Sequence, residues 1–272
     1  MKKKDYDNII STGCSFVLGA NIQDSNDAWV GDTLRFSKLL ANYYSAKEYN
    51  DSVPGSGNER ILNTVFNTYQ KLKSQKNLFI IGLSGITREL FYTNNRKEYF
   101  DIHAHDLLEE EKRFKKLGTK LFGSDYDKEW IKKWRYLNLK YFYNYEEAKM
   151  TLQRNILFLD GFFKSRNIDY ILFNSITDDI NEIKENINYF SFNIENGKSY
   201  PKTDHTKTNS SGKEDTWYHY LRLKHEEVNS NFNDNKYRSS KPEYGKWFCG
   251  GHPSPNANQD LAHKLIEKIY TL

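Results

Sequence analysis

Short unbroken apolar runs alternate along this chain with longer stretches of helical spacing. Asp7–Thr12 carries the β-branched pair Ile9 and Ile10 and stops at Gly13, which predicts a buried strand. Over residues 27–45, Trp29, Leu34, Leu39, Leu40 and Tyr43 recur near helical spacing and predict a helix. Glu48–Val53 reads as a second strand, closed by the turn signal Pro54-Gly55-Ser56-Gly57. Asn58 stands where it can cap the next helix, on which Ile61, Leu62, Val65, Phe66, Tyr69 and Leu72 form one apolar stripe. Asn77–Leu83 is a continuous apolar run, the pattern of a parallel strand covered on both faces. A long helix over 145–166 leads to a strand over 170–174. The last helix, over 256–270, turns Leu261, Ala262, Leu265, Ile266 and Ile269 to one side.

Strands alternating with helices predict an α/β fold: a three-layer α/β/α sandwich with a central parallel sheet in a flavodoxin-like order. We read residues 1–272 as a single domain with two insertions. The first, about 93–144, is charged and aromatic and reads as helical, with Trp130 and Trp134 one turn apart. The second, about 178–245, is polar, and its middle, 198–215, has the composition of a flexible loop. Both are expected to form a lid over the active edge. In such sheets ligands bind beyond the carboxyl ends of the strands. Ser15, Gly55 and Ser84 each follow a strand end and should therefore converge on one edge.

Composition narrows the function classes. The net charge is only +4 with 28% charged residues, so no nucleic-acid partner is expected. Lys2-Lys3-Lys4 reads as a solvated terminus. No apolar run approaches the ~18 residues of a membrane helix, and no apolar segment of signal-peptide type follows the basic start. A cytoplasmic location is the resulting expectation. Two cysteines, Cys14 and Cys249, make neither a disulfide framework nor a four-thiolate zinc site. Aromatic residues reach 15%, with 20 tyrosines, which suits a wide, partly polar binding surface as well as a core.

The candidate chemistry sits at the two ends of the chain. Gly13-Cys14-Ser15-Phe16 follows the first strand, and Gly250-Gly251-His252-Pro253-Ser254 precedes the last helix. A serine on a small-residue turn and a histidine on another can meet as nucleophile and base. In order, Gly13-Cys14-Ser15-Phe16, Asn50-Asp51-Ser52-Val53-Pro54-Gly55, Ile80-Ile81-Gly82-Leu83-Ser84 and Cys249-Gly250-Gly251-His252-Pro253 resemble the blocks of the SGNH hydrolases, the GDSL lipase/esterase superfamily. The Gly-Cys-Ser-Phe start, with serine at the third block followed by Arg88-Glu89, resembles a divergent branch of that family. The resemblance implies Ser15 as nucleophile and His252 as base. It implies an oxyanion hole made by the backbone N–H groups of Ser15 and Gly55 with the Ser84 hydroxyl.

Two positions depart from the family pattern. Ser84 stands where the family has asparagine, and a hydroxyl reaches less far than an amide. Cys249 stands where the family has aspartate, and a neutral thiol stabilises an imidazolium feebly. Glu243 and Asp260 flank the histidine block, and the backbone carbonyl of residue 249 or 250 could orient His252 instead. The implied function is an ester hydrolase or acyltransferase working through an acyl-serine, on small-molecule or glycan esters such as O-acylated carbohydrate. The alternative is a catalytically impaired binding or structural module on the same fold.

The remaining candidates have simpler readings. Arg88 either grips a substrate anion or makes a structural ion pair, and Asn58 is a further substrate-binding candidate. Cys14 should point away from the site if Ser15 points in. His103, His105 and Asp106 lack the spacing of a metal site on a helix, and no metal or cofactor is expected. Trp130, Trp134, Tyr136, Tyr141, Phe142 and Tyr143 read as packing of the inserted helices.

Overall fold

The computed structural model describes residues 4–20, 22, 33–86, 88–93, 98–103, 133, 137, 144–176, 180–192, 215–228, 247–249 and 252–272. Four parallel strands form the centre. They are β1 (Asn8–Thr12), β2 (Lys47–Asn50), β3 (Asn77–Leu83) and, after a hairpin of β4 (Arg88–Thr93) and β5 (Glu98–His103), β6 (Asp169–Asn174). Their order is β2-β1-β3-β6. Ile9 lies beside Glu48 and Leu78, and Ile80 beside Ile171, in register. The expected parallel sheet and strand order are therefore present.

Alternation along the strands splits the core into two layers. Ile9, Leu78, Ile80, Ile171 and Phe173 face one side, where α2 (Phe36–Tyr44) and the last helix, α6 (Pro255–Ile269), cover them with Leu40, Leu261 and Leu265. Ile10, Phe79, Ile81, Tyr170 and Leu172 face the other, under α3 (Asn58–Leu72) and α4 (Tyr145–Ser165), which contribute Ile61, Val65, Ile156 and Phe163. All seven residues of β3 are buried, as its unbroken apolar run requires. Some of the polar groups that enter the core are matched. The buried Tyr170 hydroxyl donates to Asp160, and burial holds its pKa well above the usual tyrosine range. Asn258 accepts from the Phe36 backbone N–H at 3.0 Å and so ties α6 to α2.

Several element readings change. The expected helix over 27–45 appears as α2 from Phe36, with residues 23–32 outside the described set. Asn58 does not cap α3: Gly57 holds the N-cap position and the Asn58 side chain is engaged elsewhere. The first insertion was expected to be helical, but it begins as the antiparallel β4–β5 pair. Its β-branched and aromatic content (Phe91, Tyr92, Thr93, Tyr99, Phe100, Ile102) favours a ladder. Trp130, Trp134, Tyr136, Tyr141, Phe142 and Tyr143 lie outside the described residues.

The second insertion is not polar throughout. It contributes α5 (Trp217–Val228), whose Trp217 is fully buried and packs edge-on against Phe16, Phe36 and Phe173. The loop expected over 198–215 lies outside the described residues except for Asp215. No helix among the described residues is long and apolar enough to cross a membrane.

Candidate active site

Ser15 opens a one-turn helix, α1 (Ser15–Leu18), directly after β1. Cys14 is its N-cap in extended conformation, and Gly19 ends it with φ +81, a left-handed value that glycine adopts at little cost. The turn is tight because glycine makes room beneath it. A Cβ on Gly13 would stand 2.4 Å from Val17 Cγ2 and 2.9 Å from the Gly82 carbonyl oxygen. A Cβ on Gly82 would meet the same Val17 methyl at 2.4 Å and Ser175 Oγ at 2.6 Å. Val17 therefore sits over β1 and β3 and fixes how Ser15 leaves the sheet. Cys14 is fully buried in the core cluster, whereas Ser15 is partly exposed.

His252 comes from the far end of the chain. Phe248–Cys249 (β7) pairs antiparallel with His252–Pro253 (β8), with position 249 directly opposite 252. Ser254 then caps α6 by accepting from Ala257 N at 3.2 Å, with Pro255 at the first helical position. The hairpin lays the imidazole against the turn that carries Ser15: the His252 ring centroid is 5.7 Å from that of Phe16, the residue after Ser15. The Phe16 ring also meets Tyr218 at 5.9 Å and Trp217 at 6.1 Å. Aromatic packing from α5 thus holds the ring on which the histidine rests. No hydrogen bond joins Ser15 Oγ to His252.

Gly55 lies in the turn after β2 with φ +79, and a Cβ there would meet nothing within 4 Å. The glycine is thus required by backbone conformation, not by crowding. Among the described residues, neither the Ser15 nor the Gly55 N–H has a hydrogen-bond partner. Ser84 follows β3 and is 1% exposed, and its hydroxyl is buried without a partner. An unpaired buried hydroxyl costs roughly 1–3 kcal/mol, so its retention calls for a reason.

The second and third blocks are laced together. Asn58 Nδ2 donates to the Ser84 carbonyl at 2.8 Å, and Asn58 Oδ1 accepts from the Ser84 N–H at 2.7 Å. Arg88 Nη1 donates to the Ser56 carbonyl at 3.2 Å. Gly57 lies so close to Arg88 that a Cβ would stand 2.4 Å from its carbonyl oxygen. Asn58 therefore serves the backbone of Ser84, and Arg88 the backbone of Ser56. Asn58 and Arg88, candidate substrate contacts from sequence with a structural role also open for Arg88, each bind a main-chain group of the neighbouring loop.

Sequence reasoning missed two contributors. Ser175 follows β6, is fully buried with an unpartnered hydroxyl, and donates its N–H to the Leu83 carbonyl at 2.8 Å. The strand-end rule that singled out Ser15 and Ser84 applies equally to it. Asn50, at the end of β2, donates to the Val17 carbonyl at 3.3 Å and supports the close of α1.

Glu243 lies outside the described residues. Asp260 sits on α6 with Oδ2 buried and unpartnered. Among the described residues, no group of three His, Cys, Asp or Glu side chains is arranged to hold a metal ion.

No protein-family model matches the chain, and no curated protein matches it. Solved structures similar to it include the psychrotrophic esterase EstA from Pseudoalteromonas sp., at 11% identity over 97% of each chain with a TM-score of 0.44. The acetyl xylan esterase Est2A from Butyrivibrio proteoclasticus is 10% identical over 99% of this chain and 65% of its own, with a TM-score of 0.42. A catalytic mutant of Axe2, an acetylxylan esterase from Geobacillus stearothermophilus, is 13% identical over 99% and 96%, with a TM-score of 0.39.

Proposed function

We propose that the chain is an SGNH-type ester hydrolase acting through an acyl-Ser15 intermediate. The observation that carries this reading is the contact of the His252 ring with Phe16, which brings the two ends of the chain together beside Ser15. Ser15 Oγ attacks the acyl carbonyl carbon while His252 takes its proton. The tetrahedral oxyanion is met by the N–H groups of Ser15 and Gly55 and by the Ser84 hydroxyl, which is buried without a partner among the described residues. Collapse breaks the bond to the alcohol oxygen, which takes the proton back from His252. Water, deprotonated by the same imidazole, then attacks the acyl carbon and frees Ser15. With an alcohol in place of water, the same steps give an acyltransferase.

The substrate class is a small O-acyl ester on a carbohydrate or similar alcohol, by resemblance to the family's sequence blocks. No cofactor enters these steps. The test is labelling by a fluorophosphonate probe together with turnover of p-nitrophenyl acetate. Both are expected in the unaltered chain and lost in Ser15→Ala and His252→Ala. Full activity in Ser15→Ala would sink the reading.

A second reading, a binding module on a catalytically impaired fold, is favoured by two observations. Ser15 Oγ lacks a hydrogen bond to its base, and cysteine stands at 249 in place of an acid. A correctly folded chain that takes no probe but binds acylated glycans would select it. Apo sites often hold such bonds long until substrate arrives, so the catalytic reading comes first.

A further inference from the structure

Strand β2 sends two polar side chains to the face where α2 packs. Glu48 lies beside Ile9 and Asn50 beside Ser11 in the register with β1, and Ile9 belongs to the core on the α2 side. The Glu48 side chain is only 6% exposed. Arg35, at the start of α2, holds it by two bonds, Nε to Oε1 at 2.7 Å and Nη2 to Oε2 at 2.9 Å. Ser37, fully buried in α2, donates its hydroxyl to the same Oε1 at 2.5 Å. A buried ion pair is a poor source of stability, because desolvation of the two charges offsets much of their attraction. Its retention here calls for another reason.

The direction of one proton supplies it. A carboxylate only accepts, and a serine hydroxyl has one proton to give. Ser37 donates that proton to Glu48, so towards Asn50 its oxygen can only accept. Asn50 Nδ2 lies 3.4 Å from it. Nδ2 also donates to the carbonyls of Val17 at 3.3 Å and Leu18 at 3.5 Å, the last residues of α1. The other end of the amide, Oδ1, accepts from the Ser52 N–H at 3.2 Å, in the loop that leads to Gly55. Glu48 thus sets the Ser37 hydroxyl, and the Ser37 hydroxyl helps set which way the Asn50 amide faces.

That amide touches both turns of the proposed site. Helix α1 has four residues, too few to stand alone, and its last carbonyls need partners from outside the helix. Asn50 supplies them on one side. On the other, Arg35 packs against the closing glycine: a Cβ on Gly19 would stand 2.9 Å from Arg35 Cβ. Ser15 opens the same helical turn, and Gly55 ends the loop that Asn50 Oδ1 engages.

We infer that Glu48 is a positioning residue for the ester chemistry. Acting through Ser37, it fixes the Asn50 amide, which sets the turn of Ser15 against the loop of Gly55. This rests on the ester-hydrolase reading of Ser15 and adds Glu48, Ser37 and Arg35 to it. None of the three touches substrate.

Turnover of p-nitrophenyl acetate and amide hydrogen exchange, measured on the same variants of the full chain, test it. Ser37→Ala removes the middle of the relay and keeps the ion pair; Glu48→Gln weakens its source. Each is expected to lower kcat about tenfold or more with KM within about twofold, at an unchanged circular dichroism spectrum. Asn50→Ala should cost at least as much. In the Asn50→Ala background, Ser37→Ala and Glu48→Gln should each cost no more than about a further twofold, because their effect passes through that amide. Losses that multiply would mean independent structural roles and would overturn the inference. So would an unchanged kcat in folded Ser37→Ala, which keeps the test decisive should Glu48→Gln disturb folding. Exchange of the Leu18–Ala20 amides should quicken about tenfold in each single variant while the β3 amides hold. A chain that hydrolyses no ester and takes no fluorophosphonate sinks the ester-hydrolase reading instead. Exchange then decides alone: quickening at Leu18–Ala20 supports the relay, and no change there overturns it.

Discussion

Asn58 and Ser84 hold each other through both ends of one amide. Nδ2 donates to the Ser84 carbonyl at 2.8 Å, and Oδ1 accepts from the Ser84 N–H at 2.7 Å. Both residues are buried, so neither pair is shared with solvent. The contact fixes the loop after β3 to the start of α3, and so fixes Ser84 relative to Gly55. Asn58→Ala leaves two buried main-chain groups unpaired, at roughly 1–3 kcal/mol each. We expect a loss of about 2–4 kcal/mol in urea unfolding. We also expect kcat to fall on the order of tenfold to a hundredfold with KM little changed, because a displaced oxyanion donor acts on the transition state. Asn58→Asp keeps the acceptor for the Ser84 N–H but sets a carboxylate against its carbonyl, and should be no better. A kcat within twofold of the unaltered chain in a destabilised Asn58→Ala would show that the clamp serves folding alone.

The Ser84 hydroxyl separates stability from activity. It is buried and unpartnered, so Ser84→Ala removes a group that folding leaves unsatisfied. Stability should hold or rise by about 1 kcal/mol. If the hydroxyl donates to the oxyanion, kcat should fall by roughly tenfold or more in the same variant. Stability and activity moving in opposite directions is the signature. A variant that is both more stable and fully active would remove Ser84 from the oxyanion hole.

The sheet was legible because β1, β3 and β6 are short apolar runs that end at or before a glycine, serine or asparagine. β3 illustrates this, with all seven residues buried. β2, Lys47–Asn50, is mostly polar and its expected bounds, Glu48–Val53, were displaced. Helix α5 was overlooked because it lies within a long polar segment, although Trp217, Tyr220 and Leu221 are all buried in the core. Those three stand at i, i+3 and i+4, a helical period too short to stand out in so polar a stretch. The main-chain partners of Asn58 and Arg88 were hidden for another reason. A polar side chain at a strand or helix end can face ligand or backbone, and the choice depends on which carbonyl the fold brings within 3 Å. Ser56 and Ser84 supply those groups from other elements. The Ser15 and His252 turns could be paired only through their order along the chain.

Position 249 offers a gain-of-function test. It faces His252 across the β7–β8 pair, where residues directly opposite lie on one face of the ladder. Cys249→Asp should set a carboxylate beside the imidazole, hold its tautomer and stabilise the imidazolium formed during attack. The expected outcome is a rise in kcat/KM for p-nitrophenyl acetate on the order of tenfold to a hundredfold, corresponding to about 1.4–2.7 kcal/mol of barrier. The rise must vanish in Cys249→Asp combined with Ser15→Ala. No rise would mean that a different group already orients His252, or that the base lies elsewhere.

The space under the turn that carries Ser15 sets the last expectation. Val17 Cγ2 stands 2.4 Å from where a Cβ on Gly82 would be, and Phe173 Cζ 2.9 Å. Real Cβ contacts do not come so close, so Gly82→Ala must push Val17 outward or part β1 from β3. Overpacking of this kind costs roughly 1–3 kcal/mol. Because Val17 lies two residues after Ser15 in the same helical turn, the displacement should also lower fluorophosphonate labelling. Val17→Ala deletes the methyl groups that clash, and by itself should cost roughly 1–2 kcal/mol through the cavity it leaves. The double variant should then be more stable than the sum of the two losses predicts, with a coupling of about 1 kcal/mol or more, and should recover part of the labelling rate. Urea unfolding of the two single variants and the double one measures that coupling. Additive losses would mean that Gly82 is required by something other than the Val17 side chain, with Ser175 Oγ, 2.6 Å from the same point, the next group to remove.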